Sequence, residues 1–175
     1  MRKLKNKDLQ RITIEEFKRS RKTPITIVLD NVRSALNVGS VFRTSDAFLI
    51  ENIILCGITT TPPNKEIRKV ALGSTNSVSW HFEEKTINAV SKLKKDGYHV
   101  ISVEQVQDSS KLNTLHIPNK PIALIMGNEI NGVSQDVIDI CDDVVEIPQF
   151  GTKHSLNISV ATGIVIWEIW KKLNS

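Results

Sequence analysis

The chain has 175 residues, 40% of them hydrophobic and 24% charged, so it can bury one domain core and is not broadly disordered. It contains no apolar run near the roughly 20 residues of a membrane-spanning helix, and the amino terminus lacks the apolar stretch of a secretory signal. The two cysteines, Cys56 and Cys141, lie far apart, which argues against a disulfide framework and a zinc site. These features predict a single-domain cytoplasmic protein.

The net charge of +4 is distributed unevenly along the chain. Residues 1–22 hold nine Lys and Arg and three acids, a formal charge of +6, whereas the remaining 14 basic and 16 acidic residues sum to −2. Such segregation favours contact with a polyanion such as nucleic acid. The alternative is a solvated terminal helix. We expect residues 1–24 to form a basic, helical arm in front of one domain at residues 25–175.

After the arm, short apolar runs typical of buried strands alternate with helical segments. The predicted strands are 25–30, 52–57, 78–82, 98–103, 122–126 and 144–147. The predicted helices are a segment ending at Phe48 and ranges 65–72, 87–95, 137–141 and 156–173, with Ser134 as the expected cap of the fourth. This order predicts an α/β fold with a mainly parallel sheet and helices on both faces.

The last helix, LNISVATGIVIWEIWKKL from Leu156, is apolar around nearly its whole circumference. A sheet covers only one face of such a helix, so we expect another face to contact a second copy of the chain. We place Ile158, Val165 and Ile169 against that partner. The alternative is that the helix lies in a groove of its own domain.

The common phosphate-binding and hydrolase motifs GxGxxG, GxxxxGK[ST], GxSxG and HExxH do not occur in the sequence. Polar residues and glycines cluster instead in three segments, each after a predicted strand, where open α/β sheets bind ligands. The first, residues 31–44, contains Asn37, Gly39 and Arg43. Arg43 could hold a phosphate bidentately. Alternatively, Asn37 caps the helix and Arg43 pairs with Asp46 or another carboxylate.

The second segment, MGNEINGVS from Met126, crowds two glycines, two asparagines and an acid together. Glycines here favour a backbone that lines a ligand, although a plain turn before a helix would have the same composition. The third segment, IPQFGTKHSLNIS from Ile147, contains Ser155 and Asn157. Taken alone, either residue would be an ordinary helix cap.

Taken together, the three segments read NxxxxxNxGxxxRTxDAF, [LI]xxGNExxGVS and IPxxGxxxSLNxSxAxGI. In this order they resemble the motifs of the SpoU family, the TrmH-like branch of the SPOUT RNA methyltransferases, over residues 25–170. The resemblance implies a carboxy-terminal trefoil knot, a homodimer, S-adenosyl-L-methionine as cofactor, and 2′-O-methylation of a ribose in tRNA or rRNA. The chain has only a basic arm rather than an extra RNA-binding domain, which slightly favours tRNA. No DNA or membrane partner is expected.

The resemblance also implies roles for individual residues. Arg43 matches the catalytic arginine and Asn37 the asparagine beside it, while Glu129, Ser155 and Asn157 match the polar residues of the other two motifs. The cofactor would be held largely by backbone at Val103, Glu104, Met126, Gly127, Asn128, Ile147, Ser155 and Leu156. RNA is expected to contact Arg43, Arg33, Arg2, Lys3, Lys5 and Lys7. No metal is expected.

The implied methyl donor is already activated, so such an enzyme must mainly position both reactants and remove one proton. Arginine keeps its proton in proteins and is a poor base, so Arg43 could clamp a phosphate while another group, with Glu129 as the candidate, accepts the proton. Two other classes stay open. Intact polar residues in all three motifs argue against an inactive RNA-binding relative, and the missing phosphate loops argue against a flavin or nicotinamide enzyme.

Overall fold

The computed structural model describes residues 1–5 and 8–174; Lys7, one of the expected RNA contacts, lies outside the described residues. The described chain forms seven strands: β1 (Thr23–Asp30), β2 (Ile50–Cys56), β3 (Ser79–Glu83), β4 (His99–Val103), β5 (Ser110–Lys111), β6 (Ile122–Met126) and β7 (Asp143–Glu146). They make one sheet in the order β3-β2-β1-β6-β4-β7-β5, and every pairing among them is parallel.

The described residues also form six α-helices: α1 (Ile14–Arg19), α2 (Ala35–Ala47), α3 (Lys65–Ala71), α4 (Thr86–Lys95), α5 (Gln135–Ile138) and α6 (Ile158–Leu173). Helix α1 precedes the first strand, α6 follows the last, and the other four connect strands. The predicted α/β fold with a mainly parallel sheet is confirmed. The two-residue β5 and the 3₁₀ turn Leu112–Thr114 that follows it were not predicted from the sequence. Within the described residues, none of these helices combines the length and apolarity needed to cross a membrane.

Helices cover both faces of the sheet, as predicted, and strand β1 shows why. Ile27 and Leu29 pack into a core shared with α2 and α6, whereas the intervening Val28 packs into a second core shared with α4 and α5. Alternate side chains of a strand point to opposite faces, so a strand buried on both faces needs an unbroken apolar run. All six residues of ITIVLD are buried, and four of them are apolar, with Thr26 and Asp30 as the polar exceptions.

The amino-terminal arm is partly docked on the domain. Thr13 caps α1 in a capping box with Glu16, and Phe17 is only 3% exposed in the core. The Lys22 ammonium donates to the backbone carbonyl oxygens of Phe17 and Ser20, which satisfies the end of α1. The α-helix in this arm is therefore one short, anchored element.

Helix α6 divides its apolar residues between two surroundings. Ile158, Val165 and Ile169 are buried in the core of their own domain, so the expectation that these three contact a partner is wrong. Val160, Ile164 and Trp167, at spacings of four and three residues, form an exposed stripe on another face. An all-round apolar helix does not reveal which of its faces turns inward.

Candidate functional site

The three polar segments meet at the carboxyl edge of the sheet. Strand β6 pairs with β1 on one side and β4 on the other, and β7 pairs with β4. Because all these strands are parallel, the residues that follow β1, β6 and β7 emerge at the same edge. The strand order therefore brings together segments 31–37, 127–134 and 147–157.

A cleft of about 460 Å³ opens at this edge, between the end of β4, the segment after β6 and the segment before α6. All eight positions expected to hold the cofactor line it: Val103, Glu104, Met126, Gly127, Asn128, Ile147, Ser155 and Leu156. Glu129 and Asn157 also line the cleft, whereas Asn37 and Arg43 do not. The sequence analysis missed other lining residues, including Gln105, Asn131, Gln149 and His154.

Glu129 joins the second segment to the first. One carboxylate oxygen accepts the backbone N–H of Arg33 at 2.9 Å, and the other accepts the backbone N–H of Ser34 at 3.0 Å and the Asn37 side-chain amide at 2.9 Å. Burial raises the pKa of Glu129, but these hydrogen bonds outweigh burial and leave the pKa below its ordinary value. The carboxylate is therefore held ionised.

Asn37 in turn joins the third segment. Its side-chain oxygen accepts the Asn157 amide at 3.2 Å, and the Asn157 side-chain oxygen caps α6 by accepting the backbone N–H of Ser159 at 2.9 Å. The alternative that Asn37 caps α2 is wrong, because Ser34 occupies that position and accepts the Asn37 backbone N–H. Asn37 thus contacts one residue from each of the other two segments.

Segment 127–134 turns tightly over the cleft. The backbones of Asn128 and Gly132 exchange two hydrogen bonds of 2.9 and 3.0 Å, which closes the turn. A Cβ on Gly127 would lie 2.3 Å from the backbone of Gly132 and Val133, so only glycine permits this approach. Glu104, at the end of β4, fastens the turn by accepting the backbone N–H of Val133 at 2.9 Å.

Asp30 is a second carboxylate behind the site, and the sequence analysis missed its role. It is 1% exposed and accepts hydrogen bonds from the Thr86 hydroxyl at 2.5 Å, the Asn31 amide at 2.8 Å and both the N–H and hydroxyl of Ser134. Ser134 does precede α5, but its hydroxyl binds Asp30 instead of capping the helix. The available signal was an acid ending an otherwise apolar strand.

Arg43 lies on the exposed face of α2, six residues and about 9 Å along the helix axis from Asn37. Within the described part of the chain its guanidinium has no hydrogen bond or ion pair. Pairing with Asp46 is wrong, because that carboxylate accepts the Ser77 hydroxyl. Arg43 is consequently available to a ligand from solvent.

The other expected RNA contacts that the structure describes, Arg33, Arg2, Lys3 and Lys5, do not line the cleft. Arg33 contributes its backbone N–H to Glu129, and its side chain is exposed. Arg2, Lys3 and Lys5 are exposed in the arm, where Arg2 lies 3.5 Å from the Asp8 carboxylate. Among the described residues, no three His, Cys, Asp or Glu side chains are grouped so that they could hold a metal.

The comparisons with known proteins agree with one another. The sequence model of the SpoU rRNA methylase family matches residues 24–167. The tRNA (guanosine(18)-2′-O)-methyltransferase of Aquifex aeolicus is 32% identical over 161 residues, which cover 89% of this chain and 72% of that protein. The 23S rRNA (guanosine-2′-O-)-methyltransferase RlmB of Blochmanniella floridana is 35% identical over 147 residues, which cover 83% of this chain and 56% of that protein.

A solved structure of an rRNA methyltransferase is also similar to this chain. The AdoMet-bound rRNA methyltransferase from Sinorhizobium meliloti matches with a TM-score of 0.82 and 30% identity, covering 89% of this chain and 59% of that chain. The present chain therefore spans just over half the length of the Blochmanniella and Sinorhizobium proteins and nearly three quarters of the Aquifex protein.

Proposed function

The chain belongs to the SpoU rRNA methylase family, and we propose that it transfers a methyl group from S-adenosyl-L-methionine to a ribose 2′-hydroxyl of tRNA or rRNA. The observation that carries this proposal is the meeting of three separate segments beside one cleft, where Asn37 bonds to both Glu129 and Asn157. Membership of this family argues against the alternative of a flavin or nicotinamide enzyme.

The cleft fits the cofactor in size and chemistry. Its volume of about 460 Å³ lies within the roughly 300–1,000 Å³ range of small-ligand pockets. Among the described residues, the lining combines apolar and polar side chains and includes no Lys or Arg. Glu104 and Glu129 are bonded only to neutral N–H donors, so their negative charge suits a ligand with a sulfonium and an ammonium group.

S-adenosyl-L-methionine, when bound, supplies an electrophilic methyl group. The residues of this chain then have to hold the cleft in shape and present the ribose hydroxyl in line. Glu104 and Gly127 shape the wall of the cleft. Glu104 accepts the backbone N–H of Val133, and Gly127 leaves room for the close turn. Glu129 and Asn37 fix the first segment against the second, and Asn157 fixes the start of α6. Ser155, exposed in the lining, is free to donate to a bound ligand.

Arg43 is assigned to the RNA. Its unpaired guanidinium can hold a phosphate bidentately beside the target nucleotide and so orient the hydroxyl. Glu129 is a weak candidate for the proton acceptor, because its pKa is lowered and its oxygens already accept three hydrogen bonds. Its proposed role is therefore positioning.

The arm is the proposed auxiliary RNA contact, and the basic residues of segment 1–5 together with Lys7 and Arg33 are the proposed contacts. Their charge favours a polyanion. A cytoplasmic location is also proposed, because the named relatives are tRNA and rRNA methyltransferases. The carboxy-terminal knot stays a prediction from the resemblance.

A homodimer is proposed from the exposed stripe of Val160, Ile164 and Trp167 on α6. Three large apolar side chains on one helix face are typical of a protein contact surface rather than of a helix face exposed to solvent. The residue that caps the start of this helix, Asn157, bonds to Asn37. Association and the geometry of the site are therefore expected to be linked.

The test is methyl transfer from labelled S-adenosyl-L-methionine to total RNA from a strain that lacks the gene, separated into tRNA and rRNA. Digestion to nucleosides should place the label in a 2′-O-methylnucleoside. Arg43→Ala is the matched negative variant, and Arg68→Ala on α3 is the control for loss of an exposed arginine. Label that stays absent from both fractions, with cofactor bound, would instead indicate an inactive RNA-binding relative.

A further inference from the structure

The nine aromatic residues of the chain have very different surroundings. Seven are packed or bonded: Phe17 in the core, Phe42 with Trp80, Phe48 with Trp167 and Trp170, and Tyr98 with Glu51. The remaining two, Phe82 and Phe150, are 48% and 96% exposed. Within the described residues neither of them pairs with another ring.

Phe150 stands at the rim of the cleft. It lies in segment 147–157, whose residues Gln149 and His154 line the cleft on either side of it in sequence. The Gln105 side-chain amide donates to the backbone oxygen of His154 at 2.7 Å and so ties this segment to the end of β4. The ring is therefore presented to solvent on a fastened segment rather than packed beneath it.

Glutamates line the cleft itself, but the chain segment that carries Phe150 suits a polyanion. No Asp or Glu occurs between Glu146 and Glu168, and Lys153 and His154 are exposed. The first segment likewise contains no acid from residue 31 to residue 45 and carries the exposed Arg33 and Arg43. An exposed aromatic ring in the same segment as an exposed lysine is a combination that single-stranded nucleic acid sites use.

We infer that Phe150 is a stacking platform for an unpaired base of the RNA, adjacent to the nucleotide whose ribose enters the cleft. This inference rests on the proposed function and adds a subsite to it. Sequence-specific recognition of RNA targets loop nucleotides whose bases are unstacked, and such bases stack on aromatic side chains because every base has a π face. A ring with no protein partner is open for that contact on one side or both.

Phe82 provides a matched control. It has the same side chain and is also exposed, but it lies on β3, the strand at the edge of the sheet farthest in strand order from β4 and β7. Its removal deletes an exposed ring without touching the rim of the cleft.

The experiment uses the full-length protein and whichever RNA fraction, tRNA or rRNA, accepts methyl groups from the wild type. Binding of that RNA is measured for Phe150→Ala, Phe150→Leu, Phe150→Trp and Phe82→Ala. We expect the Ala and Leu variants at position 150 to bind about 5- to 150-fold more weakly, the range that one base–aromatic stack contributes. The Trp variant and Phe82→Ala should bind like the wild type.

Two further measurements separate the possible explanations. Cofactor affinity and sedimenting mass should be unchanged in all four variants. RNA binding by Phe150→Ala equal to that of the wild type overturns the inference, and so does a lowered sedimenting mass, which would place Phe150 against a second copy. A wild type that methylates no RNA fails the proposed function as well, whereas an active wild type with an unaffected Ala variant fails this inference alone.

Discussion

The carboxylate of Glu129 accepts the side-chain amide of Asn37 at 2.9 Å, although 92 residues separate the two in the chain. The same carboxylate accepts two backbone N–H groups at the start of α2. A group that accepts three hydrogen bonds in its charged form loses proton affinity, which is why the pKa of Glu129 is lowered despite partial burial. The Glu129–Asn37 hydrogen bond therefore links two segments of the chain rather than preparing Glu129 for proton transfer.

Replacing Glu129 with Gln tests this link. The amide keeps one oxygen but directs its NH₂ group towards N–H donors, so at least one of the three bonds must break. We expect methyl transfer to fall by roughly 10-fold or more, since one lost hydrogen bond to a charged group is worth about 1.5–3 kcal/mol. Single-turnover kinetics measures the fall, and Glu84→Gln, on an exposed loop, is the control. Normal transfer by Glu129→Gln would show that the link is dispensable.

The lowered pKa of Glu129 also fixes a direction of pH dependence. A carboxyl group with a depressed pKa in the folded state stabilises the fold above its ordinary pKa of 4.5, and this contribution disappears as the pH falls through the lower folded-state pKa. We expect the difference in Tm between wild type and Glu129→Gln to be constant near neutral pH and to shrink in acid. A difference that grows as the pH falls would contradict the assignment.

Arg43 offers a sharper test of the RNA side. Because its guanidinium has no partner among the described residues, Arg43→Ala should fold and bind cofactor like the wild type, yet lose methyl transfer. Arg43→Lys should also be nearly inactive, because an ammonium does not replace a bidentate fork. Calorimetry with S-adenosyl-L-methionine and transfer assays measure the two effects. Substantial activity in the Lys variant would show that simple charge attraction is sufficient.

The sequence predicted most strands because β1, β2 and β6 are largely apolar, whereas the exposed two-residue β5 contains no apolar residue and was not predicted. It predicted the cleft because glycines and polar residues follow the apolar strands. It did not predict which residues bond to each other. Ser34 and Asn37 are both good helix caps, so composition alone does not choose between them. The bond between Asn37 and Asn157 spans 120 residues and depends on the strand order, which no local pattern encodes.

The amino-terminal arm requires a careful deletion, because Phe17 belongs to the core. Removing residues 2–11 deletes five basic residues and one acid but keeps α1. We expect weaker RNA binding with a flatter salt dependence, since each neutralised phosphate contributes about 0.7–0.9 to the log–log slope, and unchanged cofactor binding. An unchanged slope would mean that the arm is only solvated. Deleting residues 2–22 should also lower the Tm, because burial of Phe17 is lost.

Two adjacent residues of α6 separate association from folding. Ile164 belongs to the exposed stripe and is 38% exposed, whereas Val165 is fully buried in the domain core. We expect Ile164→Asp to leave circular dichroism and Tm nearly unchanged while lowering the sedimenting mass from a dimer to a monomer. Val165→Asp should instead lower the Tm strongly, because an unpaired buried charge costs several kcal/mol.

The Ile164→Asp variant also tests whether association of two chains supports the geometry of the candidate active site. Asn157 caps the start of α6 and donates a hydrogen bond to the side chain of Asn37. A folded Ile164→Asp monomer is therefore expected to transfer methyl groups more slowly than the wild-type dimer. Sedimentation and transfer assays at matched protein concentration give both values. A wild type that already sediments as a monomer, or an Ile164→Asp variant that stays a dimer, would show that the stripe of Val160, Ile164 and Trp167 is not the contact surface.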